Sequence, residues 1–280
     1  SGIFIQWHVV SGIWNLESCI RLYSRAPGPY AGVRMLLVAA ALEEELKTGI
    51  ALCGQKQKIP HRKISVWQAV RNDPKIAFLK TGVGPRRAAA SLEEALQVIP
   101  CSHILVIGYA GALDPGLKLG DLVAVARALA FSLDENNHDW DHIRLDGTFN
   151  LTNSEMLAQA AKSAGLNACI GDVLTSPYVL GDPVHKRLLY DKFRASIVDM
   201  ETAALARVAA ARSVPLSCIR VVSDEAADSF LAPFSYDPFT RLHTRARKLA
   251  GTGMAKIYRK WKNNTSVARK NLGRFMEGYL

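Results

Sequence analysis

The sequence predicts an α/β chain, a sheet covered by helices on both faces, and two stretches with their surroundings carry that reading. Leu36-Leu37-Val38-Ala39-Ala40-Ala41 has no polar residue, as a short strand buried on both sides requires. Pro215-Leu216-Ser217-Cys218-Ile219-Arg220-Val221-Val222, largely apolar, also reads as a strand buried on both faces, and a helix read over roughly 200 to 212 precedes it, so the two form an αβ unit. Ligands of such sheets gather outside the carboxyl ends of the strands. Val198-Asp199-Met200-Glu201-Thr202-Ala203-Ala204 and Val222-Ser223-Asp224 therefore read as the rim of a site. Asp224, at a strand end, is placed to protonate or hydrogen-bond a ligand, or else to cap the next helix with Ser223 beside it. Glu201, near a helix start, can accept hydrogen bonds from a pair of hydroxyls.

A chain of 280 residues that is 49% hydrophobic can bury one large core. No composition break divides its middle, so one domain is expected over 35–235. Residues 1–34 read as a leader or extension outside it: they carry scattered apolar residues and then the breaker-rich Arg25-Ala26-Pro27-Gly28-Pro29-Tyr30-Ala31-Gly32. They lack the basic start and unbroken apolar stretch of a signal peptide. Met35, the first methionine, is expected to be the natural start, the rival being an arm packed on a partner subunit. Cys19, Cys53, Cys101, Cys169 and Cys218 are odd in number, widely spaced and mostly set in apolar runs, which points to reduced thiols in a cytoplasm. No run has the length of a membrane span.

The net charge of +10 is unevenly spread: residues 241–280 hold eleven Lys and Arg against one acid, Glu277, so the other 240 residues sum to zero. Within 236–280, Leu242, Ala246, Leu249, Met254, Ile257, Tyr258 and Trp261 recur at helical spacing with basic residues between them, although Gly251 and Gly253 weaken the middle. A helix packed on the core by its apolar stripe, with a solvated basic face, is the plain expectation. An anionic membrane surface is the alternative partner, leaving the protein peripheral to the membrane; nucleic acid is not expected.

In order, Glu43, Glu44 and Glu45 open a helix, where negative charge meets the positive end of the dipole. A strand near Ile76 to Thr81 runs into Gly82-Val83-Gly84-Pro85, with proline at a first helical position and an alanine-rich helix to about Val98. A helix N-terminus attracts anions, yet Arg86 and Arg87 read better as a solvated face than as a phosphate clamp. His103 to Gly108 is the next strand, Tyr109-Ala110-Gly111-Ala112 a loop, and Asp121 to Leu129 another strand. The polar stretch Asp134 to His142 alternates His and Asp without a fixed ligand spacing, so an exposed loop and no metal site is expected. A helix over 154–164 and a strand near 170–175 follow.

Asp199-Met200-Glu201-Thr202-Ala203-Ala204 and Val222-Ser223-Asp224-Glu225-Ala226 together resemble the D-M-E-x-A-A and V-S-D-x-A patterns of the purine nucleoside phosphorylase and nucleosidase superfamily, which includes the methylthioadenosine/S-adenosylhomocysteine nucleosidases. Three more segments match in order: Leu36 to Leu46, Thr81-Gly82-Val83-Gly84-Pro85-Arg86-Arg87-Ala88, and Gly108-Tyr109-Ala110-Gly111-Ala112-Leu113 running into Leu119-Gly120-Asp121-Leu122-Val123. The resemblance covers about 35 to 228 and implies a three-layer αβα fold with a central mixed twisted sheet. It implies cleavage of the N-glycosidic bond of a purine nucleoside, of adenine by expectation, by hydrolysis, in a homo-oligomer without a cofactor.

On that resemblance Glu45 matches the base that activates water, and Asp224, with Ser223, protonates the purine at N7. Glu201 and Met200 grip the ribose hydroxyls, Ala41, Tyr109, Ala110 and Gly111 lie along the sugar, and Tyr178 and Val179 occupy the place of the base-stacking residues. The chain departs from the pattern at Tyr109, where nucleosidases carry Ser, and at Ile107, where phosphorylases tend to carry Arg. Gly181-Asp182-Pro183 is similar to a phosphorylase phosphate loop but stands in the wrong part of the chain. The rival within the family is phosphorolysis with phosphate as co-substrate, as in the hopanoid-associated branch, whose nucleoside is joined to a lipid; the basic tail would suit it. A nucleoside-binding protein without turnover is the rival of another class, disfavoured by the retention of Glu45, Glu201 and Asp224 together.

Overall fold

The computed structural model describes residues 35–69, 75–132, 143–229 and 253–280. Among the described residues ten strands form one sheet, in the order β10-β6-β8-β9-β5-β1-β4-β3-β2, with β7 beside β6. They are β1 (Met35–Ala40), β2 (Lys56–Lys58), β3 (Ser65–Ala69), β4 (Lys75–Lys80), β5 (Cys101–Ala112), β6 (Leu122–Ser132), β7 (Arg144–Asn150), β8 (Ala168–Thr175), β9 (Ile197–Asp199) and β10 (Leu216–Asp224). The helices described are α1 (Glu43–Leu52), α2 (Pro85–Val98), α3 (Ser154–Ser163), α4 (Pro183–Phe193), α5 (Thr202–Ala211) and α6 (Gly253–Tyr279).

Alternation along the strands explains the layers. Leu37 and Ala39 of β1 join Ala88, Leu92 and Ala95 of α2 and the alanine-rich face of α5 on one side of the sheet. Leu36, Val38 and Ala40 join Leu46 and Ile50 of α1, Leu157 and Ala161 of α3, and Leu272, Phe275 and Met276 of α6 on the other. Side chains that alternate across a strand feed two cores, and each core needs its own cover of helices. The expected three-layer αβα fold with a mixed sheet is the one observed: β1 pairs with β4 and β5 in parallel, whereas β10 meets β6 antiparallel.

The central strand is longer than the sequence suggested. Tyr109-Ala110-Gly111-Ala112, expected as a loop, is the end of β5. β10 continues beside it as far as Gly111, and β9 adds antiparallel at Gly111 and Ala112. With two partners still supplying hydrogen bonds, the backbone has no reason to leave the sheet. Because β5 pairs with both β9 and β10, the strands β5, β10, β6, β8 and β9 close into a ring that brings Asp199, Gly111 and Asp224 to one end.

The helix α6 packs on the core, but through residues other than the apolar ones named in the tail, whose side chains lie outside the described residues. Ala268, Leu272, Phe275, Met276 and Tyr279 are buried, with the Phe275 and Tyr279 rings stacked at 5.3 Å, while Lys262, Arg269, Lys270 and Arg274 face solvent. Of the apolar residues named in the tail, Leu242, Ala246 and Leu249 lie outside the described residues, as do the side chains of Met254, Ile257, Tyr258 and Trp261. So do the leader 1–34 and the His and Asp loop 134–142. Among the described residues no helix is long and apolar enough to cross a membrane, and no group of three or more His, Cys, Asp or Glu is arranged for a metal ion.

Candidate active site

Of the three glutamates that open α1, only the third is buried: Glu43 is exposed and Glu44 half-buried, while Glu45 is 4% exposed. Glu45 turns back over the helix start, so Oε2 accepts the Leu42 N–H at 2.7 Å and Oε1 accepts the Tyr109 N–H from β5 at 3.0 Å. Burial pushes its pKa up to about 7, against the lowering pull of the Arg220 guanidinium and of those two amides.

Arg220 is the residue that sequence reasoning passed over. It stands inside β10 between Ile219 and Val221 and is 1% exposed. Nη2 lies 2.6 Å from Asp199 Oδ2 and 3.7 Å from Glu201 Oε2, and donates to Thr202 Oγ1 at 2.9 Å. Asp199, at the end of β9, also accepts from the Thr175 hydroxyl at 2.8 Å and from the Thr202 hydroxyl. Glu201 accepts the Gly84 N–H at 2.9 Å, which ties the start of α2 to the start of α5. Its pKa is raised, chiefly by burial, with Arg220 opposing and Asp199 adding to the rise. A lone arginine in an otherwise apolar strand was the available signal, since an unpaired guanidinium would not be buried there.

The packing leaves no room for a side chain at Gly108, the strand residue between these groups. A Cβ there would lie 2.7 Å from Glu45 Oε1 and against the Arg220 guanidinium. Three carboxyl groups (Glu45, Asp199 and Glu201) thus gather around one guanidinium, so the cluster is short of positive charge.

Asp224 sits at the other side of β5, 2.8 Å in the Oδ2 direction from where a Cβ of Gly111 would stand. The Ser223 hydroxyl donates to Asp224 Oδ1 at 2.8 Å and lies 3.2 Å from the Ala110 carbonyl oxygen. Lys186 of α4, fully buried, donates to Asp224 Oδ2 at 2.5 Å and to the Glu225 carbonyl at 2.9 Å. No pattern in the sequence pointed to Lys186. Asp182 caps the same helix by accepting the Val184 N–H at 2.8 Å, so Gly181-Asp182-Pro183 is a helix start.

The apolar residues expected in the site separate into two places. Ala41 and Met200 pack with Val83, and Val179 joins them. Tyr178 lies instead with Leu113, Leu180, Leu189 and Val198. Tyr109 turns its ring toward the helices α1, α3 and α6, with its hydroxyl buried and without a hydrogen-bond partner, so it meets Glu45 through its amide. Arg86 and Arg87 are exposed, as expected.

The three-layer αβα fold accords with the comparisons. The family model of the phosphorylase superfamily matches residues 35–257, and the chain belongs to that superfamily. The match runs past Asp228, where the resemblance in sequence faded. A 5′-methylthioadenosine/S-adenosylhomocysteine nucleosidase of Glaesserella parasuis is 26% identical over 215 residues, covering 73% of this chain and 91% of that one. An aminodeoxyfutalosine nucleosidase of Campylobacter jejuni is 23% identical over 209 residues, covering 73% and 90%. A 5′-methylthioadenosine/S-adenosylhomocysteine nucleosidase structure from Helicobacter pylori superposes with a TM-score of 0.69 at 20% identity, covering 88% of this chain and 97% of that one.

Proposed function

We propose that the protein hydrolyses the N-glycosidic bond of an adenine nucleoside. The observation that carries this is Glu45: a buried carboxyl with a pKa near that of a general base at neutral pH, aimed by two backbone amides beside the Glu201 and Arg220 pair. In this reading Glu45 takes a proton from water as it attacks the anomeric carbon. Glu201, with Met200 beside it, holds the ribose hydroxyls while the sugar gains oxocarbenium character. Asp224, steadied by Ser223, gives a proton to purine N7, so that the base leaves neutral. Ala41, Ala110, Gly111 and Val179 border the sugar and base. The relatives named for 5′-methylthioadenosine, S-adenosylhomocysteine and aminodeoxyfutalosine support adenine as the leaving base.

Water is favoured over phosphate by charge. Arg220 is occupied by Asp199 and Glu201, the Gly84 N–H at the start of α2 by Glu201, and Lys186 by Asp224. A phosphate dianion would enter beside three carboxylates sharing one guanidinium, which is unfavourable at these separations. The reaction needs no cofactor on this account, and phosphate would matter only as a co-substrate of the rival reading. The test is adenine release from 5′-methylthioadenosine, S-adenosylhomocysteine and aminodeoxyfutalosine with and without phosphate, with release in its absence as the expected result.

The second reading, phosphorolysis of a lipid-linked adenine nucleoside, is favoured by one observation, the exposed Lys262, Arg269, Lys270 and Arg274 of α6. The buried stripe of that helix is used by the core, so a cytoplasmic protein would meet an anionic membrane through charge alone. Binding to acidic vesicles that falls as salt rises would support it. A homo-oligomer is part of the proposal and is tested by light scattering.

A further inference from the structure

Gly84, the residue before α2, holds a backbone conformation that entry into a helix does not require. Its φ of 95° with ψ of 153° falls in a region open essentially to glycine alone. Pro85 behind it favours the extended ψ but not the positive φ, and a residue that starts a helix is ordinarily extended with negative φ. The positive φ aims the Gly84 N–H, which is buried, at Glu201 Oε1, 2.9 Å away. Among the described residues this is the shortest polar contact of the Glu201 side chain, because Arg220 Nη2 stands 3.7 Å from Oε2 and closer to Asp199.

The turn that carries this amide is fixed on its other side. The Gly82 N–H donates to the Ala41 carbonyl at 3.1 Å, and the Ser91 hydroxyl of α2 donates to the Thr81 carbonyl at 2.9 Å. The Ala88 N–H closes the first turn of α2 on the Gly84 carbonyl at 3.0 Å. Ala41 precedes Leu42, whose N–H holds Glu45, and Val83 packs with Ala41 and Met200. The three residues Gly82, Val83 and Gly84 therefore stand between the segment that holds Glu45 and the segment that carries Glu201, and touch both.

We propose that Gly84 is a positioning residue for the sugar, its N–H fixing the Glu201 carboxyl in one orientation toward the ribose hydroxyls. This rests on the nucleosidase reading, in which Glu201 grips those hydroxyls, and adds what makes the site select a sugar that carries them. Any L-residue at this position relaxes toward negative φ. With Pro85 and α2 anchored in the core, the peptide plane before the Cα turns instead, and the N–H leaves Glu201.

The test is binding of 5′-methylthioadenosine and of its 2′,3′-dideoxy analogue, by calorimetry in the slow Glu45→Gln background. That protein is expected to bind the riboside more tightly than the analogue. Adding Gly84→Ala should weaken the riboside by about 10- to 100-fold, as for a lost hydrogen bond to a charged group, and the analogue by less than about threefold. With Glu201→Ala also present, Gly84→Ala should no longer change the ratio of the two affinities. Pro85→Ala keeps the glycine but frees its ψ, and should shift the ratio the same way by a smaller factor; it decides the matter if Gly84→Ala does not fold. Equal weakening of both ligands by Gly84→Ala, or a ratio that Pro85→Ala leaves untouched when Gly84→Ala does not fold, would make the turn a structural part only and overturn the proposal. A Glu45→Gln protein that binds both ligands equally would sink the grip of Glu201 on the sugar, and one that binds neither would sink the nucleosidase reading instead.

Discussion

Arg220 and Asp199 form an ion pair of 2.6 Å with both side chains almost wholly out of solvent, 2% and 1% exposed. A buried pair of this kind contributes little net stability compared with apolar residues of the same shape, but breaking it strands a charge. Asp199→Asn and Arg220→Met are each expected to lower stability by about 3 to 5 kcal/mol. The double variant should lose less than the sum, because it leaves no unpaired guanidinium. Urea unfolding of the two single variants and the double variant checks this, and full additivity would contradict it.

How much of this was legible in the sequence depends on periodicity. Leu36 to Ala41 and Leu216 to Val222 were readable because strands buried on both faces are largely apolar runs. Glu45 stood out only through the family resemblance, since three glutamates in a first turn look alike until the fold buries one of them. β9 was missed because three residues carry no period, and β5 was cut short because nothing local says that Gly111 will meet both Val198 and Asp224. Lys186 was invisible for the same reason: its partner is 38 residues away, and only closure of the sheet brings them together.

Glycine at position 108 should prove irreplaceable. Its φ is +149° and a Cβ would meet Glu45 Oε1 at 2.7 Å, so Gly108→Ala must displace either the carboxylate or the arginine beyond it. The expected outcome is a folded protein with turnover lowered by about 10²-fold or more, as for a catalytic group moved by an ångström. Activity within a factor of two of wild type would contradict the close approach.

The core role of α6 predicts that Phe275→Ala destabilises the protein by about 3 to 5 kcal/mol, as for a large aromatic removed from a packed interior. The side chain is 1% exposed and stacked on Tyr279. Truncation after Ser235 should then expose the apolar surface of α1 and α3, and aggregation should follow. A truncated protein that melts like the full chain would contradict the packing of this helix.

Glu45 also predicts a dependence of stability on pH. Its pKa is pushed up to about 7 in the folded chain from the ordinary 4.5, so the folded state holds the proton longer. The stability this group contributes is fully present below about 4.5 and is lost as pH rises through 7, by at most about 3 kcal/mol. Glu45→Gln should flatten that slope. Urea midpoints of both proteins between pH 4.5 and 8 measure it, and parallel slopes would show that Glu45 does not titrate there.

The most direct test of the account is adenine release by wild type and Glu45→Gln in phosphate-free buffer across pH. The wild type should release adenine and free sugar without phosphate, with kcat/KM rising as pH passes 7 and Glu45 loses its proton. Glu45→Gln should lose about 10² to 10⁴ of that rate together with its rise near pH 7. Release that requires phosphate and yields a sugar phosphate, or a Glu45→Gln variant as fast as wild type, would contradict it.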